Sequence, residues 1–260
     1  MVTGRDFGPS RRSAEAETRA QEAEGGHLVR LRVWMAEQDA IWSRAREDLI
    51  LVDHQGHEDV FLWEHATRVA RSTRVIGALP EVSGHKLDHA ALTAAALYHD
   101  SGWAIQFRQG AIDRAAILGR PTSREQRELA IGLLEKRLVS ELPTPSLQLA
   151  SKCIEALDQR DTDIVEAQVL ADADSLDHMG PLLLCQIVRG VGLEGKGVQT
   201  MVAKWRTKKT YGFWKSCIDA FFRFESVRII ARRRLEKVDR FMADLACQDC
   251  GEDLEPEGED

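Results

Sequence analysis

Ala95-Ala96-Leu97-Tyr98-His99-Asp100-Ser101-Gly102 is an apolar run that ends on an adjacent histidine and aspartate. The small residues ahead of the pair, with Ala90, Leu92 and Ala94, predict a helix that opens near Asp88 and lets its neighbours pack closely, as at the centre of a bundle. Ser101-Gly102 is a helix-stop signal, so the helix is expected to end at the pair. Upstream, Trp63-Glu64-His65-Ala66-Thr67-Arg68-Val69 sets another histidine in a helical pattern. Downstream, Ala171-Asp172-Ala173-Asp174-Ser175-Leu176-Asp177 brings three aspartates. Imidazole nitrogen with carboxylate oxygen is a donor set for Mn, Fe, Co, Ni, Zn or Mg, and no thiolate is needed.

On a regular helix His99 and Asp100 would point about 100° apart, so they share an ion only where the helix is ending. Asp172, Asp174 and Asp177 compete for the remaining carboxylate place. Asp174 and Asp177 share a helix face, whereas Asp172 points nearly the opposite way from Asp174. Taken singly, each residue has an ordinary reading: a hydrogen-bonded helix histidine, a C-terminal cap whose imidazolium the helix dipole favours, solvated turn aspartates. Their joint order selects the metal reading.

With these residues in this order, the sequence resembles the HD superfamily, the metal-dependent phosphohydrolases named for the His-Asp doublet. The resemblance covers roughly residues 60–185. It implies that the middle aspartate of an Asp-Ala-Asp-x-Leu-Asp segment is the ligand, which selects Asp174 and leaves Asp177 behind the ligands or facing substrate. The implied metal set is His65, His99, Asp100 and Asp174. The implied activity is hydrolysis of a small phosphate ester, a nucleotide among the candidates, through a metal-activated water.

One departure from the family stands out. Many HD enzymes place further histidines between the doublet and the last aspartate, to hold a second metal or act on the leaving group. This chain has none between Asp100 and Asp174. The positions where they would be sought hold Gln126 or Arg127 and Asp158, Gln159 or Arg160. One divalent metal rather than two is therefore expected, which argues against an HD-type di-iron oxygenase. The alternative is a catalytically weak or inactive HD domain that binds a nucleotide or a protein partner around a structural metal.

Phosphoester hydrolysis also needs cations against the phosphate. Arg68 lies one turn from His65 and faces the same cleft, and the His-x-x-Arg-Val form is common in HD proteins. Arg68 is the first candidate for catalysis and substrate binding, with Arg127 and Arg160 as further phosphate contacts. Arg124 and the cluster Lys204, Arg206, Lys208 and Lys209 are weaker candidates, read mainly as surface residues. Asp177 is the candidate proton shuttle, with Glu128 as a second.

The rest of the chain reads as helix. Leu28, Leu31, Trp34, Met35, Ile41, Trp42 and Ala45 predict an amphipathic helix over 28–51. Asp53-His54-Gln55-Gly56-His57 is a polar break; its histidines are read as surface residues that could approach the site from a loop. A helix over 59–79 stops at Pro80. The segment 103–121 is read as irregular or only briefly helical, and able to cover the site. Ser123 with Gln126 forms a capping box for the next helix. Further helices are predicted over 146–158, over 163–174 with a restart near Leu176, from Pro181 through Val188, and over 212–246. No segment alternates with period two. The fold class is all-α, an HD-domain-like bundle with extra N- and C-terminal helices. Residues 1–26 form an arm, 27–250 one helical domain with its HD core at about 59–188, and 251–260 an acidic tail.

With 43% apolar residues the chain can build a core, and a net charge of −7 argues against coating nucleic acid or anionic membrane. No apolar run reaches the ~18 residues of a membrane span, and the N-terminus lacks the apolar core of a signal peptide. Five scattered cysteines fit a reduced, cytoplasmic protein. Gly190-x-Gly192-x-x-Gly195 imitates a dinucleotide fingerprint without an alternating strand–helix setting, and is read as an interhelical loop. Cys247-x-x-Cys250 has no partner pair for zinc. Phe221-Phe222-Arg223-Phe224 is read as core packing; exposed, it would favour a homodimer contact.

Overall fold

The computed structural model describes residues 39–119 and 121–254. The chain divides into two compact units, Met1–Ser43 and Arg44–Asp260. Of the first, only 39–43 are described, as the opening of α1 (Asp39–Leu49). The predicted arm, the part of the first helix before residue 39 and the end of the acidic tail lie outside the described residues. At 252–254 the tail forms a short 3-10 turn.

A two-residue ladder follows α1. Here β1 (Leu51–Val52) pairs antiparallel with β2 (Glu58–Asp59) around the polar break. Asp53 builds the turn between them by accepting the backbone N–H groups of Gln55 and His57. Two residues per strand are too few for alternation to show in the sequence.

The helices then follow in order: α2 (Phe61–Gly77), α3 (His89–Tyr98), α4 (Ser101–Arg108), α5 (Arg124–Leu138) and α6 (Thr144–Glu155). After them come α7 (Val165–Asp177), α8 (Pro181–Leu193), α9 (Val198–Thr210), α10 (Phe213–Phe221) and α11 (Glu225–Cys250). The all-α class expected from the sequence is what the described residues show.

At the centre lies α3, packed by α2, α5, α6 and α7. It is buried from Ala91 through Tyr98 without interruption. A helix covered on every side needs an apolar circumference and small residues for close neighbours, and its run of alanines meets both demands. Asp88 starts it, accepting the N–H groups of Ala90 and Ala91. The Ser123 capping box of α5 forms in full.

The structure departs from the predicted elements at several places, and α9 has no counterpart among the predicted helices. Ser101-Gly102 does not end helical structure but begins α4, after a bend at Asp100 (φ −108°, ψ 10°). The glycine is there for a close approach, because α5 lies directly against its backbone. The glycines at 190 and 192 continue α8 as far as Leu193, and only residues 194–197 form the link to α9. The long C-terminal helix is two helices, broken where Phe222 takes an extended conformation (φ −85°, ψ 137°). The Asp172 carboxylate holds that break open by accepting the backbone N–H groups of Arg223 and Phe224 at 2.8 and 3.0 Å. Phe222 is buried, while Phe221 is exposed.

Candidate metal centre

The bend at Asp100 is what lets adjacent residues share a site. His99 closes α3 and Asp100 caps α4, so the change of helix direction between them re-aims two side chains that one straight helix would splay apart. His65 comes from the second turn of α2 and Asp174 from the last turn of α7. One ligand atom from each of His65, His99, Asp100 and Asp174 falls within 4.8 Å of the other three. These are the four residues that the sequence pointed to.

Their ring nitrogens are oriented from behind. His65 Nδ1 donates to Asp177 Oδ2 at 2.8 Å, and His99 Nδ1 donates to the Ala96 carbonyl at 2.8 Å. With Nδ1 given to these acceptors, each ring turns its Nε2 inward. The two Nε2 atoms face each other at 3.3 Å. Asp100 Oδ2 lies 3.4 Å from both, and Asp174 Oδ1 lies 3.3 Å from His65 and 3.5 Å from His99. Asp174 Oδ1 is buried and has no hydrogen-bond partner.

Lone pairs and carboxylate oxygens this close repel unless positive charge lies among them. A cation at ~2.1 Å from each atom would space neighbouring donors about 3.0–3.4 Å apart, the edge of an octahedron or a tetrahedron. Two carboxylates also match the charge of a divalent ion. The residues fit such an ion in spacing, charge and donor type.

Without an ion, protons answer the same demand. Burial works against charge on His65, but the carboxylates of Asp100, Asp174 and Asp177 around it prevail and hold its pKa well above the usual histidine value. His99 is raised likewise, burial again being outweighed, here by Asp100 and Asp174. Burial would lift Asp174, but three neighbouring imidazoles hold it well below the ordinary carboxylate range.

Behind the cluster, Arg68 grips Asp177 with two bonds, Nε to Oδ1 at 2.8 Å and one terminal nitrogen to Oδ2 at 3.0 Å. Asp177 thus links Arg68 to His65, and although burial opposes its charge its pKa is held down at about 2. On the other flank the Thr122 hydroxyl donates to Asp100 Oδ1, so the segment following α4 touches a ligand directly. Arg127 stands one residue further out, bonded to the Thr122 carbonyl and to Asp158. Arg160 is exposed and bonds the Asp219 carbonyl. His54 and His57 remain exposed in the β1–β2 turn, and all five cysteines are free.

Three residues at the site went unread in the sequence: Thr122, His178 and Gln186. His178 follows Asp177, and its Nε2 lies 3.4 Å from Asp174 Oδ1. Gln186 of α8 bonds the other ring nitrogen of His178 at 3.1 Å. The spacing of His178 from Asp174 is one helical turn, a signal that was available; only the fold brings Gln186 there.

No protein-family model and no curated protein matches the chain. Solved structures do. YpgQ of Bacillus subtilis in complex with ADP superposes with a TM-score of 0.54 and 20% identity, over 83% of this chain and 95% of that one. A second YpgQ structure gives 0.51 and 21%, over 83% and 96%. A predicted HD superfamily hydrolase from an uncultured Thermotogales bacterium gives 0.44 and 22%, over 78% and 90%. YpgQ is an HD-domain protein. The chain has the fold of the HD superfamily.

Proposed function

We propose that this protein is a metal-dependent phosphohydrolase acting on a small phosphate ester, with a nucleotide as the first substrate class to test. The observation that carries the reading is the pair of Nε2 atoms on His65 and His99, facing each other at 3.3 Å among two carboxylates. A divalent ion held there supplies Lewis acidity, polarising a phosphoryl oxygen and lowering the pKa of a water to near neutrality.

The chain's own residues do the rest. Asp177 fixes the tautomer and ring plane of His65, and Arg68 fixes Asp177, so the basic face of the ring stays turned inward. Its two-point grip on Asp177 makes Arg68 a brace for His65, and its remaining N–H donors are the proposed contact to the phosphate. With a pKa near 2, Asp177 stays ionised at neutral pH; its part in the reaction is to hold His65. Thr122 locks Asp100 and brings its own segment over the cluster. Arg127, behind Thr122, and the exposed Arg160 are the proposed contacts to the rest of a phosphorylated substrate. The ADP bound to YpgQ supports starting with nucleotides.

A second reading, an HD domain that binds a nucleotide around a structural metal, is favoured by the absence of histidine between Asp100 and Asp174. One experiment separates the two. Metal content and the hydrolysis of p-nitrophenyl phosphate and nucleotides are measured on the same samples of wild type and Asp100→Ala. About one metal per chain, lost together with turnover in the variant, is the expected result. Metal without turnover moves the assignment to the binding domain. No metal after reconstitution with Mn, Fe, Co or Ni removes both.

A further inference from the structure

We propose that His178 is a third imidazole ligand of the same cation, approaching from the solvent side; this rests on the metal reading above. His178 caps the end of α7, four residues beyond Asp174 and so on the same face one turn on. Three imidazole Nε2 atoms converge on Asp174 Oδ1, those of His65 at 3.3 Å, His178 at 3.4 Å and His99 at 3.5 Å. That oxygen accepts no hydrogen bond from any of them.

Each of the three rings is held in the same way. Nδ1 meets an oxygen acceptor: Asp177 Oδ2 for His65, the Ala96 carbonyl for His99 and Gln186 Oε1 for His178. A ring whose Nδ1 proton is given to an acceptor presents a lone pair at Nε2, and this arrangement behind the ring is the habit of metal-bound histidines. His65 stands midway, with its ring centroid 5.2 Å from that of His99 and 5.2 Å from that of His178.

His178 differs from the other two in exposure. Its side chain is 35% accessible, whereas those of His65 and His99 are fully covered. Its Nε2 lies outside the tight group of four, so joining them requires this partly exposed side chain to turn toward the ion. Three imidazole nitrogens and two carboxylates make a softer donor set than two and two. The site then favours Co, Ni, Zn or Fe over Mg, which binds oxygen donors and avoids imidazole.

The test uses the full-length protein with cobalt(II) and magnesium, comparing wild type with His178→Gln and Gln186→Leu. In His178→Gln, cobalt affinity should fall by about tenfold or more while magnesium affinity stays within about twofold. Gln186→Leu retains the imidazole and removes only its acceptor, so it should show a smaller fall in the same direction. Paramagnetic NMR of the cobalt-loaded wild type should show three exchangeable, shifted imidazole N–H resonances, and His178→Gln two. Two resonances in tightly loaded wild type, or unchanged cobalt affinity in both variants, overturns the assignment of His178 alone. Failure of the wild type to bind cobalt overturns the metal reading itself.

Discussion

Gly102 of α4 lies so close to α5 that a Cβ on it would stand 2.1 Å from the Gln126 carbonyl oxygen. The obstacle is backbone, which no rotamer change relieves. Gly102→Ala must therefore push two helices apart, immediately after the doublet that supplies two ligands. The expected destabilisation is about 2–3 kcal/mol by urea unfolding, at the upper end for added volume in a packed interior. A midpoint unchanged from wild type would contradict the close approach.

The Arg68–Asp177–His65 chain makes a second prediction. Removing the guanidinium in Arg68→Ala leaves a buried carboxylate without its two-point partner and loosens the ring it holds. Metal affinity, measured by competition with a chelator, should fall about 10- to 100-fold, as for other groups that orient a ligand. Asp177→Ala should do at least as much. Unchanged affinity in both would mean that His65 is oriented by packing alone.

The titration of the cluster sets the sign of a pH effect. His65 and His99 have raised pKa values in the metal-free protein. The stability they contribute is present below the unfolded value of about 6.5 and is lost as pH rises through their folded values. Metal binding needs both Nε2 atoms bare and releases those protons, so its affinity rises over the same range. The increase in melting temperature on adding cobalt or manganese should therefore grow between pH 6 and pH 8.5. Proton release should also be visible in weakly buffered calorimetry; a pH-independent shift without it would count against the assigned tautomers.

Asp172 offers a test away from the metal. It is fully buried and its carboxylate accepts two successive backbone N–H groups at the start of α11. Asp172→Ala should cost about 1–3 kcal/mol, the penalty for leaving buried donors without acceptors. Hydrogen exchange should speed up first at residues 222–228. Uniform acceleration across α2, α3 and α7 instead would show that Asp172 supports the core rather than the joint.

The fold and the cluster were legible to the extent that their signals are local. The alanines of α3 and the Ser123–Gln126 box announce their own helices. His65, His99, Asp100 and Asp174 carry a recognisable order. What the sequence did not show depends on distant partners. The break at 222–224 is set by a carboxylate 51 residues earlier, so the apolar spacing ran straight across it. Ser101-Gly102 looked like a stop because a glycine needed for helix contact resembles one needed for a left-handed turn. His178 lies outside the stretch between the doublet and the last aspartate where HD enzymes place further histidines, and its one-turn spacing from Asp174 is its only local signal.

His65 is oriented by a carboxylate 112 residues further along the chain, and its metal partners come from helices formed at intervals between the two. No fragment lacking α7 contains the site, and no folding intermediate with α7 undocked contains it either. Contacts of such long range form late. During refolding, cobalt colour should therefore lag behind helical circular dichroism, making ion capture a clock for the moment α7 docks.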